Sequence, residues 1–356
     1  MRTGGFEGDS PRGKISYLKA LDQKSILDLP LQRHVKPDGD LQHSAYWCTG
    51  CGACEDACPV DIPLAQRWLE MKGWLTEEVG LEPPGTLPLL YKNVLDTGNI
   101  YGEDPNLRDA WAKEFTFDPS PEVLFFAGCV TSYRKQTVAK NCVKLLQAAG
   151  ARVGILGKRE RCSGSPLLHG GYQKYVSRDL ARQNVADAEA SGARVLVASC
   201  TQCLSAFRED YPRLYGRSAY DVFHITQYLE KLAADKKLQF KKPVKMKIVY
   251  QDPCFLSRHG GEYDSPRKLL KRIPQLEIVE PWKTKETAEC CGAGGGFPFA
   301  DPDGAKDVGR RRLNQLREAG AQAIVTGCPF CLSNFEAAGL GAVKAYDVTD
   351  LLVQAL

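Results

Sequence analysis

The feature that most constrains this chain is an internal repeat in which short apolar runs lead into cysteines. One such run precedes Cys129, and a similar run precedes Cys254, 125 residues later. Two further runs lead into Cys-x2-Cys pairs that begin at Cys200 and Cys328, 128 residues apart. Self-similarity at a nearly constant offset is the signature of repeated structural units. The sequence therefore predicts two homologous halves downstream of about residue 120.

Each half has the pattern of alternating strands and helices. In the first half, apolar residues recur at helical spacing from Val138 to Ala149, and the pattern ends at Gly150 before another apolar run. We expect the order strand, helix, strand, loop, helix, strand in both halves. Such alternation forms parallel sheets with right-handed crossovers, which bind ligands beyond the carboxyl ends of their strands. The cysteines that follow the strands should therefore converge at one edge of each half.

The chain has 14 cysteines, and all but Cys142 belong to one of three groups. The groups are Cys48, Cys51, Cys54 and Cys58; Cys129, Cys162, Cys200 and Cys203; and Cys254, Cys290, Cys291, Cys328 and Cys331. Structural disulfides are rare in the cytosol, so metal ligation is the economical interpretation. Because a structural zinc site closes with four ligands, the five thiols of the third group favour iron and sulfide. Cys142 lies on an apolar helical face and is interpreted as a core residue rather than a ligand.

The first group has the spacing Cys-x2-Cys-x2-Cys-x3-Cys, followed by Pro59. This spacing is typical of bacterial ferredoxins, in which one loop wraps a cubane 4Fe-4S cluster. A zinc loop is the alternative, although zinc sites usually pair two separated Cys-x2-Cys units. The fourth cysteine of such a run serves the other cluster in two-cluster ferredoxins, so Cys58 either closes its own cluster or reaches elsewhere.

Composition and charge exclude several classes of protein. The chain is 43% apolar and 25% charged, with a net charge of +4 and scattered basic residues. This balance argues against a nucleic-acid partner, and the basic residues near 236–242 are interpreted as a solvated loop. Neither a signal peptide nor an apolar run of membrane-spanning length is present in the sequence. We expect a cytoplasmic protein without a direct membrane span.

The motifs of the second half, with the first cysteine group, resemble a known family. They are Tyr250-Gln-Asp-Pro-Cys254-Phe-Leu-Ser-Arg258-His259, Pro266-Arg267-Lys-Leu-Leu270, Glu289-Cys-Cys-Gly-Ala-Gly-Gly-Gly296 and Gly327-Cys-Pro-Phe-Cys331. This set resembles the cysteine-rich CCG domain of the B-type and D-type subunits of heterodisulfide reductase, which also occurs in iron–sulfur subunits of glycolate and lactate oxidation systems. The resemblance covers about residues 44–356 and implies that the five cysteines of the third group hold a noncubane 4Fe-4S cluster.

The predicted fold class is α/β, with a small ferredoxin-like helical N-terminal domain followed by two repeated parallel-sheet CCG domains. The predicted divisions are an N-terminal extension at 1–44, a ferredoxin-type 4Fe-4S segment at 45–80, a linker at 81–120, a first, degenerate CCG domain at 121–240 and a second, complete one at 241–356. We refer to 45–80 as the ferredoxin segment and to the two CCG domains as the first and second repeats.

The glycines after the cysteine doublet are candidate cofactor-binding residues. Gly292, Gly294 and Gly295 carry no side chain, so backbone and cluster can approach closely and N–H groups can reach sulfur. A dinucleotide-binding loop is the alternative interpretation of this run. We reject it because no strand leads directly into the run and the G-x-G-x-x-G spacing fails at Phe297.

The first repeat departs from the family pattern at its central cysteine. Arg161-Cys162-Ser163 stands where the family has Cys-Cys-Gly, which leaves one ligand missing at position 161. One hypothesis is an ordinary 4Fe-4S cluster held by the second cysteine group, with Arg161 as a nearby cation. The other is a metal-free repeat retained for its packing.

These observations predict an iron–sulfur electron-transfer subunit of a larger oxidoreductase complex, which relays electrons between a cubane and a noncubane cluster. Its expected partners are other subunits, such as a flavoprotein, a ferredoxin-like protein or a cytochrome, and one of them could hold the chain at the inner membrane. The alternative is a catalytic heterodisulfide reductase subunit that acts at the noncubane cluster, where His259 could deliver protons although a packing role is favoured. In the family, that catalysis uses a pair of such clusters, so the missing ligand favours the relay. A zinc-stabilised scaffold is the third hypothesis.

Overall fold

The computed structural model describes residues 10–22 and 39–356. The N-terminal part is helical, and it comprises α1 Pro11–Asp22, α2 Gly39–Tyr46, α3 Ala53–Asp56, α4 Leu64–Glu77 and α5 Leu87–Thr97. The sequence indicates short helical stretches around residues 14–27, of which α1 covers the part up to residue 22, and residues 23–27 lie outside the described residues. Short 3-10 turns follow at Pro105–Leu107, Ala110–Ala112, Gly157–Arg159 and Lys285–Thr287.

Both repeats alternate four strands with helices and end in a helix, although the first has more helices between its strands. The first contains β1 Val123–Phe126, α6 Gly128–Tyr133, α7 Gln136–Ala148, β2 Val153–Ile155, α8 Ser165–His169, α9 Gln173–Tyr175, α10 Ala181–Ala190, β3 Val195–Ala198, α11 Thr201–Ser205, α12 Tyr211–Tyr215, β4 Asp221–His224 and α13 Ile225–Ala234, with π-helical turns at Val176–Leu180 and Ala206–Asp210. The second contains β5 Met246–Gln251, α14 Ser265–Lys271, β6 Leu276–Val279, α15 Phe297–Ala300, α16 Pro302–Arg317, β7 Ala323–Thr326, α17 Pro329–Ala338, β8 Lys344–Asp347 and α18 Val348–Gln354.

Each repeat forms one four-stranded parallel sheet, and the strand orders, β2-β1-β3-β4 and β6-β5-β7-β8, are equivalent. The central strands read as continuous apolar runs because helices cover both faces of a parallel sheet. All four residues of β1 and of β7 are buried. The predicted α/β class with two parallel-sheet repeats is confirmed.

Each sheet has four strands, whereas the sequence predicts three strands per repeat. Strands β4 and β8 lie at the sheet edges, and each contains a single fully buried residue, at its end. Edge strands bury less apolar surface, so their sequences lack the apolar run that identifies a central strand. In both repeats the last residue of this strand, His224 or Asp347, begins a helix through a capping box.

The two repeats pack against each other through helices and share one hydrophobic core. Val138 of α7, Leu229 of α13, Leu269 of α14 and Leu351 of α18 all belong to this core and are at most 3% exposed. Burial of this apolar stripe explains the helical spacing seen in the sequence of α7. The shared core fixes the orientation of the sheets, and it therefore also fixes how their cysteine-bearing edges face each other.

The segment predicted as a linker at 81–120 contains a helix that the sequence analysis did not predict. Helix α5 buries Leu87, Leu90 and Val94 between the N-terminal helices and the first repeat. Its C-cap is Gly98, which has φ = +69°, a conformation that favours glycine. This segment also contributes Arg108, which reaches the cysteines of the first repeat.

Candidate metal centres

The five thiols of the second repeat come together where β5 and β7 end. Cys254 and Cys290 belong to one buried cluster, and Cys291, Cys328 and Cys331 belong to another. Cys291 Sγ lies 2.8 Å from Cys331 Sγ. All five side chains are at most 7% exposed. The structure thus brings together residues from separate stretches of sequence, as expected for the carboxyl edge of a parallel sheet.

The four thiols of the first repeat converge in the same way. Cys129 and Cys162 belong to one buried cluster, and Cys200 and Cys203 belong to another. All four line one small cavity, and Phe330 of the second repeat lines it as well. The carboxyl edges of the two sheets also meet directly, because Thr201 Oγ1 of the first repeat donates to Cys328 Sγ of the second repeat at 3.3 Å.

The position of the missing ligand in the first repeat is corrected by these contacts. Gly164 N donates to Cys162 Sγ at 3.4 Å, and Gly292 N donates to Cys290 Sγ at 3.3 Å. Cys162 is therefore equivalent to Cys290, and the predicted loss of a ligand at Arg161 is wrong. The missing thiol belongs at position 163, directly after Cys162, where the sequence has a serine.

The ferredoxin segment wraps three of its four cysteines around one cavity. Cys48, Cys51 and Cys54 line a space of about 70 Å³ between the loop and the N-terminal helices. Gly50 N donates to Cys48 Sγ at 3.4 Å, in the same i to i+2 pattern as in the two repeats. Cys58 is partly exposed and does not line this cavity, so its role as fourth ligand stays a prediction.

Cys51 links the ferredoxin segment to the second repeat. It packs on the buried cluster that contains Cys254 and Cys290, and Cys290 lies 239 residues away in sequence. Arg258 holds the two segments together, because its Nε donates to the carbonyl of Cys51 at 2.7 Å while its Nη1 reaches Ala288 O at 2.5 Å. The side chain of Arg258 is only 3% exposed. The first and third cysteine groups are therefore neighbours in space.

The glycines at 292–296 have a packing role that the sequence did not reveal. A Cβ on Gly294 would lie 2.4 Å from Thr49 O, and one on Gly295 would lie 2.6 Å from Thr49 C. Gly295 also has φ = +61°, in the region that side chains disfavour. These glycines let the ferredoxin segment pack directly on the loop after the cysteine doublet. Contact of Gly292, Gly294 and Gly295 with a cofactor stays a prediction.

Gly294→Ala is expected to lower the free energy of unfolding by about 1–3 kcal/mol, because the added methyl group would overlap the backbone of Thr49. Gly39→Ala is the matched control, since no atom lies within 4 Å of the Cβ position there. Denaturant titration of both full-length variants measures the difference. Equal midpoints for the two variants would contradict the packing of the ferredoxin segment on the glycines.

Lys72 of α4 is a second link between the segments, and it carries no motif in the sequence. The side chain is 2% exposed, and its Nζ donates to Cys48 O and Gly295 O, both at 3.4 Å. Burial lowers the pKa of this amine, while the Cys48 sulfur opposes the shift. The ring of Tyr46 lies 5.3 Å from Nζ and adds a cation–π contact. A buried cation thus lies between the two loops.

His259 also packs on the ferredoxin segment rather than facing an open site. Its Nε2 lies 2.7 Å from Gly50 O, and its ring stacks on Phe255 at 4.8 Å. His169 contacts Phe255 edge-on. Burial, with Lys72 and His259 nearby, lowers the pKa of His169 to about 3, so this imidazole is neutral. The favoured packing role of His259 agrees with these contacts.

Arg108 is the functional residue that sequence reasoning missed. It is 2% exposed, and its Nη1 and Nη2 lie 3.8 and 3.7 Å from Cys129 Sγ. Glu160 pairs with it at 2.9 Å and also accepts hydrogen bonds from the backbone of Ala127 and Gly128. Burial alone would lower the pKa of Arg108, but the Cys129 sulfur and Glu160 together raise it. Arg108 is thus a cation beside the first repeat's thiols, whereas the four-cysteine hypothesis from the sequence named Arg161 as a nearby cation.

The thiols fit iron–sulfur clusters by their chemistry and surroundings. All fourteen cysteines are free, and thirteen belong to the three groups. Each group has a backbone N–H directed at a cysteine sulfur, and the buried cations Arg108 and Arg258 lie beside the thiols, as suits anionic thiolate clusters. Within residues 10–22 and 39–356, no group of three or more His, Cys, Asp or Glu surrounds a position for a single metal ion.

Cys142 is fully buried in the shared core, and burial raises the pKa of its thiol. These observations agree with its interpretation as a core residue.

Family models match the three cysteine-bearing regions. A model described as a cysteine-rich domain, CCG, matches residues 123–208 and 248–336, and a 4Fe-4S binding domain model matches residues 42–63. These matches agree with the internal repeat and with the ferredoxin spacing. They support iron–sulfur binding, whereas the type and number of clusters are proposals below.

Curated relatives cover nearly the whole chain. It is 32% identical to the D-type subunit of dihydromethanophenazine:CoB–CoM heterodisulfide reductase from Methanosarcina barkeri, over 99% of this chain and 89% of that protein. It is 32% identical to EtfAB:quinone oxidoreductase of Syntrophomonas wolfei, over 92% of this chain and 48% of that protein. It is 30% identical to the B-type subunit of fumarate reductase (CoM/CoB) from Methanothermobacter marburgensis, over 88% of this chain and 62% of that protein.

A solved structure of a hypothetical protein from Helicobacter pylori is similar over 97% of this chain and 76% of that chain. The identity is 12% and the TM-score is 0.47. Among the helices of the described residues, none has the length and apolar character that crossing a membrane requires.

Proposed function

Because this chain belongs to the family of the D-type subunit of heterodisulfide reductase, we propose that it is an iron–sulfur electron-transfer subunit of a larger oxidoreductase complex. When bound, the clusters supply one-electron transfer. The ferredoxin segment would hold a cubane 4Fe-4S cluster, and the second repeat would hold a noncubane 4Fe-4S cluster. A further 4Fe-4S cluster is assigned to the four cysteines of the first repeat.

The observation that carries the proposal is the contact between Cys51 and Cys290. These thiols belong to different cysteine groups, yet the partly exposed Cys51 packs on the buried cluster that contains Cys290. If each binds iron, a ligand of one cluster touches a ligand of the next. Arg258 and Lys72 hold the two loops in this arrangement through backbone carbonyls. Such a contact suits rapid electron transfer between two fixed centres.

The spatial order of the three groups differs from their order in sequence. Cys290 of the second repeat contacts Cys51, and Cys328 of the same repeat contacts Cys200 of the first repeat. The second repeat would therefore hold the middle cluster, between the ferredoxin segment and the first repeat. An electron that enters at the ferredoxin segment would then reach the first repeat through the second.

Partners follow from this arrangement. The cysteines of the ferredoxin segment are partly exposed, whereas those of both repeats are buried, so a partner's redox group would meet the ferredoxin segment first. A flavoprotein, a ferredoxin-like protein or a cytochrome subunit would supply that group. Fourteen free thiols suit a reducing compartment. The proposal therefore includes a cytoplasmic location, with any attachment to the inner membrane through a partner.

Electron paramagnetic resonance of the fully reduced protein tests the proposed contact. Two paramagnetic clusters whose ligands touch are expected to broaden or split each other's signals. The double variant Cys48→Ser/Cys54→Ser should remove the signal of the ferredoxin segment and sharpen the remaining signal. Cys142→Ser, which changes a buried thiol outside all three groups, is the control and should leave the spectrum unchanged. A remaining signal of unaltered shape in the double variant would contradict adjacent clusters.

A cavity favours catalytic disulfide reduction as the second candidate function. It has a volume of about 880 Å³, and Cys51, Cys290 and Arg258 line it together with Trp282, which is 66% exposed. Cavities of this size accommodate small molecules. Reduction of a disulfide takes two electrons and two protons and gives two thiols. Disulfide-dependent oxidation of a reduced viologen by the isolated chain would establish this function. An absence of turnover would contradict it, and electron transfer would then be the one proposed function.

A further inference from the structure

Ser163 occupies the place in the first repeat that Cys291 occupies in the second. Cys291 Sγ contacts Cys331 Sγ at 2.8 Å, and Ser163 Oγ donates to Cys203 Sγ at 3.3 Å. Both pairs are separated by 40 residues, and each ends on the second cysteine of a Cys-x2-Cys pair. The glycine that follows has a positive φ in both repeats. The two sites therefore differ at this point by an oxygen in place of a sulfur.

The other four positions keep their arrangement. In each repeat, the cysteine after the first strand shares a buried cluster with the central cysteine, and the two cysteines of the Cys-x2-Cys pair share another. The four thiols of the first repeat are all buried, with exposures between 3% and 7%. One ligand position has changed, while the rest of the site is intact.

The buried charges beside this site argue against a metal-free remnant. Arg108 and Glu160 are 2% and 3% exposed, and the guanidinium faces Cys129. Burying two charges has a desolvation cost of several kcal/mol per ion, and apolar residues would pack such a position at least as stably. An anionic group held by the four thiolates would give the guanidinium of Arg108 a second partner of opposite charge at Cys129, in addition to Glu160. The second repeat has Arg258 beside the equivalent Cys254.

We propose that Ser163 makes the first repeat a four-thiolate site, so that it holds an ordinary cubane cluster where the second repeat holds a five-thiolate noncubane cluster. This inference rests on the proposed function in that the cysteine groups of the repeats hold clusters. The serine hydroxyl donates a hydrogen bond to the sulfur of Cys203 and is not an iron ligand. The identity of residue 163 alone then sets the type of cluster in this repeat.

Anaerobically purified full-length variants test the assignment by iron content and Mössbauer spectroscopy. Wild-type protein is expected to contain about twelve irons per chain, four for each cluster. Ser163→Cys should keep this iron content and convert the cubane spectrum of the first repeat to that of the second. Ser163→Ala is the matched control, because it removes the hydroxyl without adding a thiol, and it should keep both the iron and the cubane spectrum.

Other outcomes separate this inference from the proposed function. Retained iron with an unchanged spectrum in Ser163→Cys overturns the role of residue 163 and leaves the proposed function standing. Cys200→Ser should remove about four irons, and no loss would show that the first repeat is empty, which also overturns the inference. Cys328→Ser should remove the cluster of the second repeat, and if it loses no iron the proposed function itself fails.

If Ser163→Cys does not fold, the reverse change, Cys291→Ser, tests the same inference. It should turn the noncubane spectrum into a cubane one, and an unchanged spectrum overturns the inference.

Discussion

Cys291→Ser is expected to abolish the noncubane signal of the second repeat while the signal of the ferredoxin segment persists. The thiol of Cys291 contacts Cys331 of its own group, so the change should be confined to one cluster. Asn334 Nδ2 holds the backbone of this residue by donating to Cys291 O at 2.6 Å, and serine preserves that bond. Anaerobic electron paramagnetic resonance measures both signals in one sample.

Cys290→Ser tests both the ligand assignment and the proximity of the two clusters. This thiol contacts Cys51 as well as Cys254, so its removal should abolish the noncubane signal and also the magnetic interaction with the ferredoxin segment. Cys142→Ser is the control for loss of a buried thiol. Persistence of both signals in Cys290→Ser and in Cys291→Ser would show that the ligand assignment is wrong.

Arg108→Met is expected to lower the free energy of unfolding by about 3–5 kcal/mol, because it leaves the buried carboxylate of Glu160 without its cation. It should also reduce the iron content assigned to the first repeat, since Glu160 orients the backbone of Ala127 and Gly128 next to Cys129. Denaturant titration and iron analysis of the full-length variant measure the two effects.

Arg67→Met is the matched control for this prediction. Its partner Glu70 lies one helical turn away, and the two side chains are 59% and 45% exposed, so the loss should be at most about 1 kcal/mol. The double change Arg108→Met/Glu160→Gln should recover part of the stability because the glutamine removes the uncompensated charge. Equal stability of Arg108→Met and Arg67→Met would show that the buried pair contributes nothing at this site.

Much of the fold was predictable from periodicity. The apolar runs that were interpreted as central strands are strands β1, β3, β5 and β7 in the structure. The helix predicted from the apolar stripe that ends at Gly150 is α7, and that glycine has φ = +77°. Central parallel strands and amphipathic helices bury most of their residues, so their sequences carry a strong pattern.

Elements with a weak pattern were missed. The edge strands β4 and β8 are partly exposed and lack an apolar run. Helix α5 was assigned to a linker because glycines and prolines surround it in sequence. The ligand register in the first repeat was off by one residue, because the spacing from Cys129 to Cys162 differs from that between Cys254 and Cys290. The contact of Ser163 with Cys203 revealed the correct equivalence.

The amino-acid sequence by itself determined the three cysteine groups, the repeat and the parallel-sheet class, because these depend on local spacing and on the burial of regular elements. The tertiary structure alone decided that Cys51 contacts Cys290, that Cys200 contacts Cys328 and that Arg108 faces Cys129. Each of these contacts joins segments that helix packing and close glycine contacts bring together. The spacing of residues along the chain does not predict such contacts, because they depend on how the ferredoxin segment and the two repeats pack against one another.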